Sequence, residues 1–422
     1  MSTNAISAEK NIFASLKSLI LGLQHLVAMF GATVLVPILT GFDPSVALFT
    51  AGCGTLIFHM CTKKKVPVFL GSSFAFIPLV IAVKEMHGGD LAYAQGGIMV
   101  AGFIYVCLSF FVKQIGMDRI KRLLPPQVVG PMIVVIGLNL IPVAYGMASA
   151  HFVLAAITLG TALIVNFMFK GFTKQLSILF GVLVGYAAAL FMGQVDTSIV
   201  TSAATFGMPA FTAPKFSAAA VLTIAPVILA VFMEHIGDIT TNGMVVGEDF
   251  IKDPGLNRTL LGDGLATLFA GLLGGPANTT YGENTGVLAI TKNYNPANLR
   301  IAACFAIVLG LVSKLGAVLK SIPVPVMGGI SLMLFTMIAL IGVKTIQNND
   351  VKFNWKNIVV MVTILTLGFG GSYITSVTGI TLGIPVTESV SITGLSFAAI
   401  VGVVLNLILN RNEESAYESV EA

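Results

Sequence analysis

Apolar stretches of about 18 to 25 residues recur along this chain from near residue 15 to near residue 410, separated by short polar breaks. Each can cross a hydrocarbon core of about 30 Å as a helix. The pattern predicts about fourteen spans. The first seven lie near 18–40, 45–62, 66–84, 92–113, 124–147, 152–169 and 176–193. The second seven lie near 219–243, 259–274, 276–292, 298–320, 324–346, 356–372 and 390–410. Residues 194–218, polar and Pro-containing, form a linker between two halves. The third and tenth spans are interrupted by polar residues and are expected to be discontinuous.

The interruptions echo one another. The third span reads Ser72-Ser73-Phe74-Ala75-Phe76, and the tenth reads Thr279-Thr280-Tyr281-Gly282-Glu283. Hydroxyl, hydroxyl, aromatic and small residues recur in order, and only the last position changes character. Gln24-His25 in the first span likewise matches Glu234-His235 in the eighth, and Pro125 with Gly130 matches Pro323 with Gly328. All three offsets are about 200 residues. Seven spans per half is an odd number, so the second half runs upside down relative to the first. A pair of interrupted spans in an inverted repeat points to the binding site of a secondary transporter.

Composition narrows the class. Of 422 residues, 56% are hydrophobic and 10% are charged, and the mean hydropathy is +0.93. A soluble domain carries roughly 25% charge, so most of this chain's surroundings must be lipid. The net charge of +4 comes from basic residues in short loops, which gives no surface for nucleic acid. Cys53, Cys61, Cys107 and Cys304 lack paired spacing, so neither a disulfide framework nor a metal site is expected. The segment Met1 to Leu16 is polar and lacks an apolar signal core, so the first span is expected to remain as a helix.

Lysine and arginine set the orientation, because cytoplasmic loops hold their excess. With the N-terminus inside, the interior loops carry Lys63-Lys64-Lys65, Lys113, Arg119, Lys121, Arg122, Lys170 and Lys174. They also carry Lys252, Arg258, Lys292, Arg300, Lys344, Lys352, Lys356 and Arg411. Lys84, Lys215 and Lys320 are exceptions on the outside. An even number of spans then leaves both termini in the cytoplasm. The sequons at Asn257 and Asn278 fall inside or buried, so neither is expected to be glycosylated.

Ionisable residues within a span are costly and are functional candidates by default. Glu234, His235, Asp238 and Glu283 stand out. Glu234 and Asp238 are four apart and share a helix face. His235 points about 100° away and, like His25, reads more simply as a helix-packing hydrogen bond. Half-helices starting near Phe74 and Gly282 offer free backbone N–H groups and positive dipole ends. Gly282 lets a ligand approach the backbone, while Phe74 and Tyr281 offer aromatic faces for a flat ring. Glu234 and Glu283 accept hydrogen bonds. A small, flat, near-neutral ring with N–H donors and carbonyl acceptors fits this inventory, and a pyrimidine such as uracil is one. No nucleotide-binding loop of the form G-x-x-x-x-G-K-[ST] is present, so an ion gradient is the expected energy source and no cofactor is expected. Asp238, Glu234 and Glu283 are the candidate proton-coupling groups.

At these residues the chain resembles a known family. The run from Asn278 through Gly286, ending Ala289-Ile290-Thr291-Lys292, is similar to the signature of nucleobase–ascorbate transporters, also called nucleobase:cation symporters. Leu23-Gln24-His25-Leu26, Phe30 through Pro37, and Gly71 through Phe76 resemble its bacterial uracil-transporting branch, and the likeness spans about residues 12–410. The resemblance implies an all-α membrane protein with about fourteen spans in two inverted seven-span repeats. Short β-strands in spans 3 and 10 would meet at the substrate. It implies a first repeat over 13–193, with a core part at 13–116 and a gate part at 120–193. The second repeat would cover 219–410, with a core part at 219–321 and a gate part at 324–410, followed by a cytoplasmic tail at 411–422. It implies proton-coupled uracil uptake across a bacterial inner membrane, by a homodimer joined through its gate parts. Glu234 and Glu283 would hold the base, Phe74 and Tyr281 would flank it, and Ser73, Gly282 and Ala32 would line the site. One departure stands out: a version of the motif in the uracil-transporting branch has histidine where this chain has Asp238, so the proton-linked role implied for that position is carried over without a match. Two rival readings remain, a purine or xanthine permease of the same fold and an intramembrane enzyme using Glu234 and His235.

Overall fold

The computed structural model describes residues 3–115, 125–348, 351–379, 382–387 and 390–410. Arg119, Lys121, Arg122, Arg411, the boundary near 116–120 and the tail 411–422 lie outside the described residues.

The chain is an all-α, multi-span membrane protein, with two small sheets among the described residues. Helices α1 (Thr3–Thr40) and α2 (Pro44–Cys61) lead into strand β1 (Leu70–Ser72), a single 3-10 turn at Phe74–Phe76, α3 (Ile77–Met86) and α4 (Ala92–Ile115). Next come α5 (Pro126–Ser149), α6 (Phe152–Met168), the short α7 (Phe172–Gln175), α8 (Ser177–Phe191) and α9 (Ser198–Ser202). The second half holds α10 (Ala218–Ile224), α11 (Ile228–Val246), α12 (Leu256–Leu273), strand β2 (Asn278–Thr280) and α13 (Gly282–Thr291). Then follow α14 (Pro296–Gly310), α15 (Ser313–Lys320), α16 (Val324–Asn348), α17 (Trp355–Leu365), α18 (Gly371–Thr378), β3 (Gly383–Thr387), β4 (Val390–Thr393) and α19 (Gly394–Leu409).

Among the described residues, six helices are long and apolar enough to cross a bilayer, or seven if α14 and α15 count as one bent span. Large apolar side chains stay on the outer surface, among them Phe191, 93% exposed, and Phe167, 77% exposed. Such a surface suits lipid and not water.

Helix contacts fall into two sets. Helices α1, α2, α4, α12 and α14 pack on one another, and so do α5, α6, α8, α16, α17 and α19. Small residues permit the closest approaches, as expected where lipid gives helices no hydrophobic drive to associate. A Cβ on Gly102 of α4 would sit 2.6 Å from the backbone N of Leu268 on α12. A Cβ on Gly137 of α5 would sit 2.5 Å from the backbone N of Ala339 on α16.

Two predicted spans are corrected. The eleventh, expected over 298–320, is bent by 79° between α14 and α15. Helix α15 buries Gly316, Ala317 and Leu319 but exposes Lys314 and Lys320. That one-sided face suits an interfacial helix and not a lipid-crossing one. The fourteenth, expected as a helix from 390, is helical only from Gly394, after the antiparallel β3–β4 hairpin. The first four residues of the predicted span, Val390–Thr393, form strand β4 instead.

The three basic residues that broke the loop pattern each have a local partner. Lys84 Nζ donates to the Thr40 carbonyl at 3.3 Å, Lys320 pairs with Asp43 at 2.6 Å, and Lys215 pairs with Asp90 at 2.8 Å. The hydrogen bond from Lys215 holds the Asp90 carboxyl below the usual carboxylate range. Lys215 also lies over the Tyr93 ring, and Ser217 bonds to His87 Nε2 at 2.9 Å. These contacts fasten the linker to the turn between α3 and α4.

Candidate substrate site

The two echoing segments meet. Strands β1 and β2 pair antiparallel, with Leu70 opposite Thr280, Gly71 opposite Thr279 and Ser72 opposite Asn278. The ladder extends through Tyr281 N to Phe69 O at 3.1 Å and Ser73 N to Ala277 O at 2.8 Å. Extended backbone inside a membrane must find partners within the protein. Helix α12 ends on Gly274 in the left-handed region (φ 87°), which frees the chain to enter the strand. Side chains from neighbouring helices then grip both strands. Thr55 Oγ1 accepts from Leu70 N at 2.9 Å, Asn278 Nδ2 donates to Thr50 O at 3.2 Å, and Thr267 Oγ1 donates to Asn278 O at 2.8 Å. Asn242 Nδ2 on α11 reaches both Pro67 O and Thr285 Oγ1 at 3.1 Å.

Each strand feeds a ten-residue helix whose first turn opens at the crossing, α3 after β1 and α13 after β2. Glu283 lies in the first turn of α13, where the helix dipole favours a negative charge. A Cβ placed on Gly282 would meet only Asp238 Oδ1 within 4 Å, at 3.9 Å, so the backbone there faces open space.

Helix α11 supplies the other wall. Glu234 and Asp238 share its half-buried face. Thr280 Oγ1 donates to Asp238 Oδ2 at 2.7 Å and ties this helix to the end of β2. Ile228, Ala230, Val231 and Phe232, in the first turns of α11, are buried.

Tyr281, Phe74 and Ala32 join one apolar cluster with Met29 and Phe69. Tyr281 is buried, and its hydroxyl donates to Ser72 O at 2.8 Å. Its ring lies flush on Gly71, where a Cβ would come within 2.5 Å of Cε2 and Cζ. Phe74 keeps partial exposure. Ser73 is fully buried, and its hydroxyl has no hydrogen-bond partner among the described residues.

The two histidines separate from the carboxylates. Asn284 Nδ2 donates to the His25 carbonyl at 3.0 Å, which is helix packing. His235 turns away from Glu234 toward α12, with Nδ1 3.1 Å from Asp263 Oδ2 and both side chains fully buried. Tyr105 of α4 meets the His235 ring edge-on, with centroids 6.3 Å apart. Asp263 was absent from the sequence-derived candidates. It is an ionisable residue inside a predicted span, the same signal that picked out the other four.

The Permease family profile (Xan_ur_permease) matches residues 16–377. A protein named uracil permease from Bacillus caldolyticus is 43% identical over 412 residues, covering 94% of this chain and 93% of that one. A protein of the same name from Escherichia coli strain K12 is 38% identical over 424 residues, covering 96% of each. Among solved structures, the murine anion transporter Slc26a9 in its inward-facing state matches with a TM-score of 0.68 at 12% identity, over 94% of this chain and 68% of that one. At that identity the likeness concerns the fold alone. The chain belongs to the Permease family, and is a membrane transporter and not an enzyme.

Proposed function

We propose that this family member imports uracil by proton symport, with Glu234 and Glu283 holding the base between Phe74 and Tyr281 and Asp238 handling the proton. The observation that carries the reading is the antiparallel meeting of the two echoing segments beside the Glu234–Asp238 face. The first turn of α13, opening toward open space at Gly282, offers N–H donors for carbonyl oxygens. The carboxylates offer acceptors for ring N–H groups. The names of the relatives support uracil over other bases.

The wider mechanism is alternating access between two moving parts. The two sets of mutually packed helices support a core part carrying both strands and a gate part beside it. About fourteen spans in two inverted repeats is the topology that fits the echo and an odd number of spans per half. Basic residues at one end support a cytoplasmic location for both termini in a bacterial inner membrane. A homodimer joined through the gate parts belongs to the same proposal.

Competition measures the substrate directly. Labelled uracil taken up by cells expressing the protein should be displaced by unlabelled uracil and little affected by xanthine or adenine. Stronger displacement by xanthine would move the chain to the purine reading.

Two substitutions probe the walls of the site. Gly71→Ala should push the Tyr281 ring off the strand and weaken uracil binding at least several-fold, because the ring and the Thr33 hydroxyl leave a Cβ no room. Truncating Phe74 or Tyr281 should weaken binding more than truncating Phe152 or Phe180, which are exposed away from the strands. Equal effects from all four, read by isothermal titration calorimetry, would remove the aromatic pair from the site.

A further inference from the structure

One hydroxyl joins the strand crossing to the carboxylate face. Thr280 closes β2, is buried, and pairs with Leu70 of β1. Its side chain leaves the strand and donates to Asp238 Oδ2 at 2.7 Å. The next three residues are Tyr281, Gly282 and Glu283, all assigned to the uracil site. Thr279 beside it is equally buried, yet its hydroxyl has no hydrogen-bond partner among the described residues. Of two adjacent threonines, one is tethered to α11 and one is not.

We infer that Thr280 is a positioning residue for coupling: its hydroxyl holds the Asp238 carboxylate to the strand that carries Tyr281, Gly282 and Glu283, so that proton gain or loss at Asp238 is felt at the substrate. The inference rests on the proposed role of Asp238. A threonine hydroxyl has a single proton to donate. Hydrogen bonds to an ionised carboxylate are about twice as strong as neutral ones. The tether is therefore tight when Asp238 is ionised and slack when it is protonated. The other groups acting on Asp238 are Glu234 on its own helix, Glu283 on α13 and Asp263 on α12, with Tyr105 of α4 near enough to interact. The three carboxyl groups cannot donate when ionised. The Tyr105 hydroxyl is buried without a hydrogen-bond partner among the described residues. Among the described residues, Thr280 is thus the side-chain donor that distinguishes the two proton states of Asp238.

The test compares wild type, Thr280→Val, Thr280→Ser, Thr279→Val and Asp238→Asn in proteoliposomes. Uracil uptake is followed across a pH series, and calorimetric uracil binding checks that each variant is folded. Thr280→Val should move the midpoint of the pH dependence about one unit toward higher pH, because an acid that loses a donor to its ionised form keeps its proton longer. One unit corresponds to about 1.4 kcal/mol. Thr280→Ser keeps the hydroxyl and should restore the wild-type midpoint, and Thr279→Val should leave it unchanged. A lost packing contact would not separate these variants in that way. If Thr280→Val fails to bind uracil, Thr280→Cys, a weak donor of similar size, should show a smaller shift in the same direction. An unmoved midpoint in the folded variant, with gradient-driven accumulation lost in Asp238→Asn, overturns the role of Thr280 and leaves that of Asp238 standing. Wild-type accumulation by Asp238→Asn overturns both.

Discussion

Glu283→Gln should lower uracil affinity by about tenfold to a hundredfold, and Glu234→Gln should do the same. Ionised carboxylates only accept hydrogen bonds, whereas an amide also carries an N–H₂ donor. With the substitution, that donor can face a ring N–H across a half-buried contact. One unsatisfied polar contact of this kind costs roughly 1–3 kcal/mol. The position of Glu283 adds to the effect. It occupies the first turn of α13, where a negative charge is favoured and a neutral amide loses the dipole interaction. Calorimetric titration of the purified variants measures the loss. Near-normal affinity in both would remove the carboxylates from the site.

Asp238→Asn should keep uracil binding within a few-fold while abolishing accumulation driven by a pH gradient. Asparagine has almost the same shape, and its side-chain oxygen can still accept from Thr280, as Asp238 Oδ2 does at 2.7 Å. What it loses is the ability to take and release a proton. Exchange of labelled for unlabelled uracil should therefore continue, because exchange does not require the empty carrier to reset. Gradient-driven concentration by this variant would shift the coupling role to Glu234, one turn away on the same helix face.

Residues that act through type and spacing were legible before the fold. The echo between Ser72-Ser73-Phe74 and Thr279-Thr280-Tyr281 pointed to two interrupted spans, and these segments begin within the paired strands β1 and β2. The four-residue spacing of Glu234 and Asp238 foretold a shared face, and a shared face is found. Contacts between distant segments were not legible. Nothing in the sequence ties Thr280 to Asp238 across 42 positions, and the turn of His235 away from Glu234 was legible while its partner Asp263 was not. Tyr281 was read as a free aromatic face, but its hydroxyl is anchored on Ser72 O, a contact that exists only once the strands cross. Hydropathy also misread two segments. It averages over a window, so the amphipathic α15 and the strand Val390–Thr393 before α19 both passed as stretches of a span.

Uracil accumulation in proteoliposomes under an imposed pH gradient tests the central proposal most directly. With the outside acidic, labelled uracil should rise inside above its external concentration, and a protonophore should collapse it to equilibrium. Uptake that only equilibrates, and ignores both the gradient and the protonophore, would contradict proton symport by this chain.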